Sequence, residues 1–191
     1  AAGPRDDTAP LIVHAGDLCP IKNALCTVRA AGILARQGVD FRLRLLGQHT
    51  HPAYAEQVKA LVAELGLIDR VDIPGRVSRA EMVQELSRAR VLALPSFVEV
   101  APLAIAEASA VGLPTVASPA GGNAEMVVDR YSGRIVSPRS PEGLAAALRP
   151  LLEDPALATL MGERARQIAE RHRPAAVARG TLEVYRSMLE S

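Results

Sequence analysis

The stretch that decides the fold covers residues 91–117 and reads VLALPSFVEVAPLAIAEASAVGLPTVA. Its two ends, Val91–Leu94 and Thr115–Ala117, are short apolar runs typical of strands buried on both faces of a parallel sheet. Pro102 fits the first position of a helix between them, because that position needs no N–H, and Gly112 ends the helix. A strand, a crossover helix and a second strand predict a parallel α/β sheet.

The same stretch carries two carboxylates that predict a ligand site. Glu99 lies in the loop before the helix, and Glu107 lies on the helix itself. The N–H groups of Leu103 and Ala104 would face out from the helix start, where a phosphate binds readily. Neither glutamate has a basic neighbour in sequence, and Glu107 lies among apolar residues. A carboxylate in that position needs partners, and sugar or ribose hydroxyls are suitable ones.

The rest of the chain repeats the alternation of strand and helix. The predicted strands are Leu11–Ala15, Phe41–Leu46, Val71–Ile73, Val91–Leu94, Thr115–Ala117 and Gly133–Val136. The predicted helices cover about 21–37, 52–65, a stretch capped by Ser78 with Glu81 as its third residue, 102–111, 124–128, 141–153, a stretch from Pro155, and 174–190. We therefore predict a Rossmann-like, doubly wound parallel sheet of about six strands with helices on both faces. Residues 11–191 form one domain in this interpretation, after a linker or an artificial chain edge at 1–10.

Composition restricts the class of protein. The chain has 191 residues, 49% hydrophobic content and a net charge of +1, which predicts a soluble globular protein without a basic nucleic-acid surface. Heavy use of Ala and Arg suggests a bacterial genome of high GC content. Cys19 and Cys26 are too few for a zinc site or a disulfide framework and fit reduced thiols in a cytoplasmic protein. Neither a membrane span nor the apolar core of a signal peptide is evident.

Other candidate ligand contacts follow the predicted strands, whose carboxyl ends share one edge of the sheet. Lys22 suits a diphosphate as a point charge, although it also fits a solvated lysine at a helix start. Gly121-Gly122 is either a tight turn or a place of close backbone approach to a ligand. His14 ends a strand and either contacts a ligand or is a hydrogen-bonded core histidine.

Several other activities find little support in the sequence. His49 and His51 lack a third metal ligand and are better explained as a polar loop. No G-x-G-x-x-G loop, Walker loop or G-x-S-x-G elbow follows a strand, which disfavours a dehydrogenase, a kinase and a hydrolase.

Taken together, these motifs resemble the C-terminal, donor-binding domain of family 4 glycosyltransferases, which have the GT-B fold. Glu99 and Glu107 match the E-x7-E motif of that family, and Gly47 matches its L-x-x-G loop. Two longer matches are residues 65–77 and the run that contains Gly121, Gly122, Glu125, Asp129 and Gly133. Nearly all of residues 10–190 can be matched in this way.

The resemblance implies a retaining, metal-independent hexosyltransferase that uses a UDP-, GDP- or ADP-sugar and no tightly bound cofactor. Lys22 would hold the diphosphate, Glu107 the ribose hydroxyls, and Glu99 would lie near the transferred sugar, with Lys22 and Glu99 as the catalytic pair. The implied donor-binding set is Gly16, Asp17, Lys22, Gly47, Gly75, Arg76, Val77, Glu99, Val100, Ala101, Pro102, Leu103, Ala104 and Glu107. Of these, the loop at 75–77 would border the base.

The resemblance also implies an N-terminal acceptor domain outside this sequence, so the domain alone would be inactive. Any peripheral membrane association in glycan biosynthesis would come through that other half.

Two departures from the family pattern put donor binding in question. Asp17 stands where the family has Arg, and an acid about 5 Å from a phosphate costs on the order of 3 kcal/mol at an effective dielectric of 20. Val100-Ala101 replaces a more flexible Gly-Phe pair.

Two alternatives to an active glycosyltransferase domain stay open. One is a donor-incompetent binding or scaffolding domain, and the other is a related GT-B enzyme such as a sugar-nucleotide epimerase.

Overall fold

The structure, a computed structural model, describes residues 9–170 and 174–189. Its strands are β1 (Leu11–Ala15), β2 (Arg42–Leu46), β3 (Val71–Gly75), β4 (Val91–Leu94), β5 (Thr115–Ala117) and β6 (Gly133–Ile135). Its α-helices are α1 (Ala24–Arg36), α2 (Pro52–Glu64), α3 (Arg79–Arg88), α4 (Leu103–Ala110), α5 (Asn123–Met126), α6 (Pro141–Glu153), α7 (Pro155–Ala169) and α8 (Pro174–Leu189). All six strands pair in parallel in the order β3-β2-β1-β4-β5-β6, which confirms the predicted fold class.

Helices cover both faces of this sheet, because alternate residues of each strand enter different apolar cores. Ile12 belongs to the core that is shared with α1, α2 and α6. Leu11 and Val13 belong to the core on the other face, together with Leu86 of α3 and Ile105 of α4. The sheet is therefore doubly wound.

The winding direction reverses between β1 and β4, and this reversal positions the site. The chain leaves β1 toward β2 on one side and returns to β4 on the other. In open parallel sheets, loops that diverge at such a point leave a crevice beyond the carboxyl ends of the strands.

Two predicted helix starts are wrong, and both lie at this edge. Residues 20–22 form a short 3-10 helix, and α1 begins only at Ala24 because Asn23 adopts a left-handed conformation with φ of 59°. Pro102 precedes α4 with φ of −78° and ψ of 75°, so Leu103 is the first helical residue. Irregular backbone thus separates the strands from both helices at the crevice.

Most other element boundaries agree with the sequence within one or two residues. The Ser78 cap is confirmed as a reciprocal capping box with Glu81. At the N-terminus, the Pro10 carbonyl already accepts the N–H of Arg42, so the sheet ladder reaches into the predicted linker. Residues 1–8 of that linker and the predicted helix end at 190 lie outside the described residues.

Candidate functional site

A cleft of about 450 Å³ opens at the carboxyl ends of β1 and β2, between their loops and helix α4. It brings together seven residues of the predicted donor-binding set, two of them from α4. These are Gly16, Asp17, Gly47, Arg76, Val77, Ala104 and Glu107. Residues from four separate segments of the chain therefore meet at the edge where parallel sheets bind ligands.

The floor of the cleft depends on two glycines in contact. A Cβ atom on Gly47 would lie 2.2 Å from the carbonyl oxygen of Gly16, so no side chain fits there. The Gly16 N–H donates to Leu46 O, and the Leu18 N–H donates to Gln48 O, both at 2.8 Å. The loops after β1 and β2 are consequently joined as one unit.

Asp17, which departs from the family pattern, is held by this joined loop. Its Oδ1 atom accepts the N–H of Gln48 at 3.0 Å. The carboxylate still lines the cleft, together with Glu107 and Arg76. One of its oxygens thus has a structural role, while its negative charge remains at the site.

Glu107 lines the same cleft from the middle of α4 and is half-buried. Within residues 9–170 and 174–189, no side chain or N–H forms a hydrogen bond or ion pair with its carboxylate. A half-buried carboxylate without a partner is suited to accept hydrogen bonds from ligand hydroxyls.

Glu99, by contrast, is already paired with Lys22. The Lys22 Nζ atom lies 2.8 Å from Glu99 Oε1 and 3.0 Å from Oε2. The Glu99 side chain is only 4% exposed and that of Lys22 is 29% exposed. The two residues follow β1 and β4, the strands that flank the reversal, which explains how positions 77 apart in sequence meet.

His14 lies behind this ion pair and is a core residue, as one of its two interpretations held. It is fully buried, and its Nδ1 atom lies 3.0 Å from Thr27 Oγ1, while Nε2 is without a partner among the described residues. Burial lowers the pKa of His14 to about 4, and the positive charge of Lys22 contributes in the same direction. The imidazole is therefore neutral at physiological pH.

The loop before α4 does not join the main cleft. Val100, Ala101, Pro102 and Leu103 line a separate cavity of about 260 Å³. The Leu103 N–H donates to Ala101 O at 2.9 Å, so it is not available to an anion and that expectation is wrong. The Ala104 N–H has no acceptor within the described part of the chain, which leaves it as the outward-facing amide of this helix start.

The glycine pair at 121–122 makes its close approach to this loop. A Cβ atom on Gly121, whose φ is +48°, would lie 1.7 Å from the Glu99 carbonyl oxygen. One on Gly122 would lie 3.2 Å from Pro102 Cδ. These contacts are within the protein, so the pair positions the Glu99 loop. Asp129 of the same motif also acts within the fold, since its Oδ1 accepts Ile135 N–H at 2.9 Å and Arg134 Nε at 3.1 Å.

Sequence reasoning did not single out three residues that lie at this end of the sheet. Gln48 and Met82 line the cleft, but neither belongs to a recognisable motif. Asn23 donates its side-chain N–H groups to Pro95 O at 2.9 Å and Pro138 O at 2.8 Å. The available signal for it was an asparagine near the predicted helix start, since Asn adopts the left-handed conformation more readily than most residues.

Other features of the described residues are unrelated to the cleft. No group of three or more His, Cys, Asp or Glu side chains in this part of the chain could hold a metal ion. His51 is an exposed residue before α2, and both Cys19 and Cys26 are free thiols. No helix in the described ranges combines the length and apolar character that crossing a bilayer requires.

The strand order and the crevice at the reversal define a Rossmann-like α/β domain of the GT-B type. The chain belongs to the family "Glycosyl transferases group 1", whose sequence profile matches residues 1–168.

Curated relatives agree with this family assignment. The chain is 35% identical over 196 residues to a D-inositol 3-phosphate glycosyltransferase of Kineococcus radiotolerans, covering 95% of this chain and 45% of that enzyme. It is 32% identical over 160 residues to an alpha-D-kanosaminyltransferase of Streptomyces kanamyceticus, covering 83% of this chain and 40% of that enzyme. The chain thus spans less than half the length of these relatives.

Solved structures show the same fold. A sucrose-phosphate synthase from Thermosynechococcus elongatus matches with a TM-score of 0.84 and 28% identity, over 98% of this chain and 47% of that one. Anabaena HepE, solved in complex with UDP and glucose, matches with a TM-score of 0.81 and 24% identity, over 94% of this chain and 48% of that one.

Proposed function

We propose that this chain is the donor-binding half of a retaining, metal-independent family 4 glycosyltransferase. Its nucleotide-sugar lies in the cleft between the loops after β1 and β2 and helix α4. The observation that carries the proposal is the unpartnered Glu107 carboxylate in that cleft, where the Lys22 side chain packs beside Gly16.

Each side chain has a distinct task in this proposal. Glu107 accepts hydrogen bonds from the ribose hydroxyls, and residues 75–77 border the base. Lys22 and the Ala104 N–H at the positive end of α4 bind the diphosphate. Glu99 lies near the transferred sugar. Lys22 and the helix N-terminus stabilise the charge that develops on the leaving diphosphate, so the chain's own groups supply the electrostatic part of catalysis.

The comparisons support the choice of ligand. The Anabaena structure contains UDP and glucose, and the Kineococcus relative is named for glycosyl transfer to an inositol phosphate. Because the chain covers less than half of these relatives, we assign the acceptor site to a further N-terminal domain. A domain spanning residues 11–191 and a cytoplasmic location are part of the same proposal.

Calorimetric titration with UDP, GDP and ADP tests the proposal. We expect one nucleotide to bind, and Glu107→Ala or Lys22→Ala to weaken that binding about 10- to 100-fold, since each loses charge-assisted hydrogen bonds worth roughly 1.5–3 kcal/mol. Glu163→Ala, an exposed change on α7, is the matched control and should bind like the parent chain. Equal binding by all variants would place the nucleotide elsewhere.

Asp17 supports a second candidate function, a scaffolding domain that has lost the donor. Its carboxylate lines the cleft where phosphates would approach, which opposes anion binding. If none of the three nucleotides binds to the folded chain, the scaffolding function is the better explanation.

A further inference from the structure

The Lys22 side chain packs beside Gly16 of the cleft, and its ammonium group, the cation proposed to bind the diphosphate, is already paired with Glu99. Glu99 accepts from Lys22 Nζ with both oxygens, and its side chain is almost fully buried. The ammonium group has three N–H donors, so two are already in use when no ligand is bound.

The backbone fixes this pair from both sides. The Phe97 N–H donates to Ile21 O at 2.8 Å, which ties the loop carrying Glu99 to the segment carrying Lys22. Gly121 lies against the Glu99 carbonyl so closely that a side chain there would overlap it. Glu99 therefore cannot leave its place simply by moving the loop.

We propose that Glu99 is an internal counter-ion of Lys22 that makes the site favour an intact nucleotide-sugar over the free nucleoside diphosphate. This inference rests on the proposed function, to which it adds a specificity-determining role for Glu99. A diphosphate that draws Lys22 away leaves a buried carboxylate uncompensated, which is costly. The hydroxyls of a sugar can donate to Glu99 and offset that cost, whereas a free nucleoside diphosphate has no sugar to do so.

The consequence for turnover is a bias between substrate and product. When the donor binds, its sugar hydroxyls replace the hydrogen bonds that Glu99 loses from Lys22. The product diphosphate has no such hydroxyls and only competes with Glu99 for Lys22. Product affinity is thereby lowered relative to donor affinity, which promotes release after transfer.

The test compares two ligands on two variants. UDP, GDP and ADP and their glucose conjugates are titrated calorimetrically into the parent chain, Glu99→Gln and Glu163→Gln at 0.3 M NaCl, which screens distant charges. Glu99→Gln should bind the free diphosphate at least about tenfold more tightly, and its preference for the sugar conjugate should fall. Glu163 is exposed on α7 and does not line the cleft, so Glu163→Gln should change neither affinity.

The outcomes separate this inference from the proposed function. If the parent chain binds a nucleotide and Glu99→Gln binds the free diphosphate equally or less well, the inference is wrong and the function stands. If the parent chain binds no nucleotide, the function fails, and inorganic pyrophosphate becomes the probe. Tighter pyrophosphate binding by Glu99→Gln then supports the counter-ion, and equal binding overturns it.

Thermal melting followed by circular dichroism shows whether Glu99→Gln is folded. If it is not, Glu99→Asp replaces it, because the shorter acid keeps the charge but loosens contact with Lys22. A rise in diphosphate affinity for Glu99→Asp supports the inference, and no rise overturns it.

Discussion

Glu99 and Glu107 have the same side chain and lie eight positions apart, yet the fold gives them opposite surroundings. Glu99 is 4% exposed at its side chain and bound to Lys22 through both oxygens. Glu107 is half-buried, lines an open cleft and is without a partner among the described residues. One carboxylate is satisfied by the protein, and the other is left for a ligand.

The difference arises from the backbone that carries each residue. Glu107 lies on a regular helix, whose register alone sets its direction. Glu99 lies on an irregular loop, held by Gly121 and by the Phe97–Ile21 hydrogen bond. A buried ion pair needs such support, because breaking it leaves an uncompensated charge. Substitutions that affect the Glu99 region should therefore change the free energy of unfolding, whereas substitutions in the cleft around Glu107 should change ligand affinity.

The largest expected effect comes from Gly121→Ala, which disrupts the support of the Glu99 loop. The new Cβ would overlap the Glu99 carbonyl, and Ala disfavours the φ of +48°. We expect a loss of about 3–5 kcal/mol in the free energy of unfolding, measured by urea titration. Gly38→Ala is the matched control, since Gly38 has φ of +74° with open space around it. It should lose about 1–2 kcal/mol, the cost of the left-handed conformation alone. Equal losses of unfolding free energy in both variants would mean that the Glu99 loop shifts to make room for the new methyl group.

His14 gives the stability of the region around Lys22 and Glu99 a pH dependence. Its pKa is about 4 in the folded chain and 6.5 in the unfolded chain, because burial opposes its charged form. Below pH 6.5 the unfolded chain binds a proton that the folded chain does not, so stability falls as the pH drops toward 4. Between pH 7.5 and 4.5 this loss is about 2.5 kcal/mol.

The measurement is the free energy of unfolding at both pH values for the parent chain and His14→Asn. The variant should be less stable at pH 7.5 and should lose about 2.5 kcal/mol less than the parent on acidification. Subtracting the two profiles removes the contribution of carboxylates, which both chains share. If the free energy of unfolding changed equally with pH in both chains, His14 would have the same pKa in the folded and unfolded states.

The fold could be predicted from the sequence, because the residues that specify each strand and helix lie within that element or next to it. Short apolar runs, the Ser78 capping box and the proline at the start of α6 each specify their element within a few residues. The parallel, doubly wound sheet then follows from strict alternation of strand and helix.

Half of the donor-binding residues proposed from the sequence line the main cleft, and the pairing of the others could not be predicted. Lys22 and Glu99 were both singled out, yet their ion pair joins loops 77 residues apart and depends on strand order. Gly121-Gly122 was predicted to be a tight turn or a close approach to a ligand, whereas the structure shows Gly121 against the Glu99 carbonyl of the chain itself. The non-helical Pro102 was also missed, since its side chain is equally compatible with both positions.

The smallest expected effect belongs to the open cleft and to Asp17. Asp17→Asn keeps the Oδ1 atom that accepts the Gln48 N–H and removes only the charge. If phosphates lie nearby, nucleoside diphosphate affinity should rise about fivefold at 20 mM NaCl, or about 1 kcal/mol, and the gain should shrink at 0.3 M NaCl. Asp40→Asn is a suitable control, because Asp40 pairs with Arg70 before β2, at the opposite end of the sheet. An unchanged affinity for Asp17→Asn would mean that its carboxylate is directed away from the phosphates. Asp17 would then be a structural residue, and the departure from the family pattern would no longer count against donor binding.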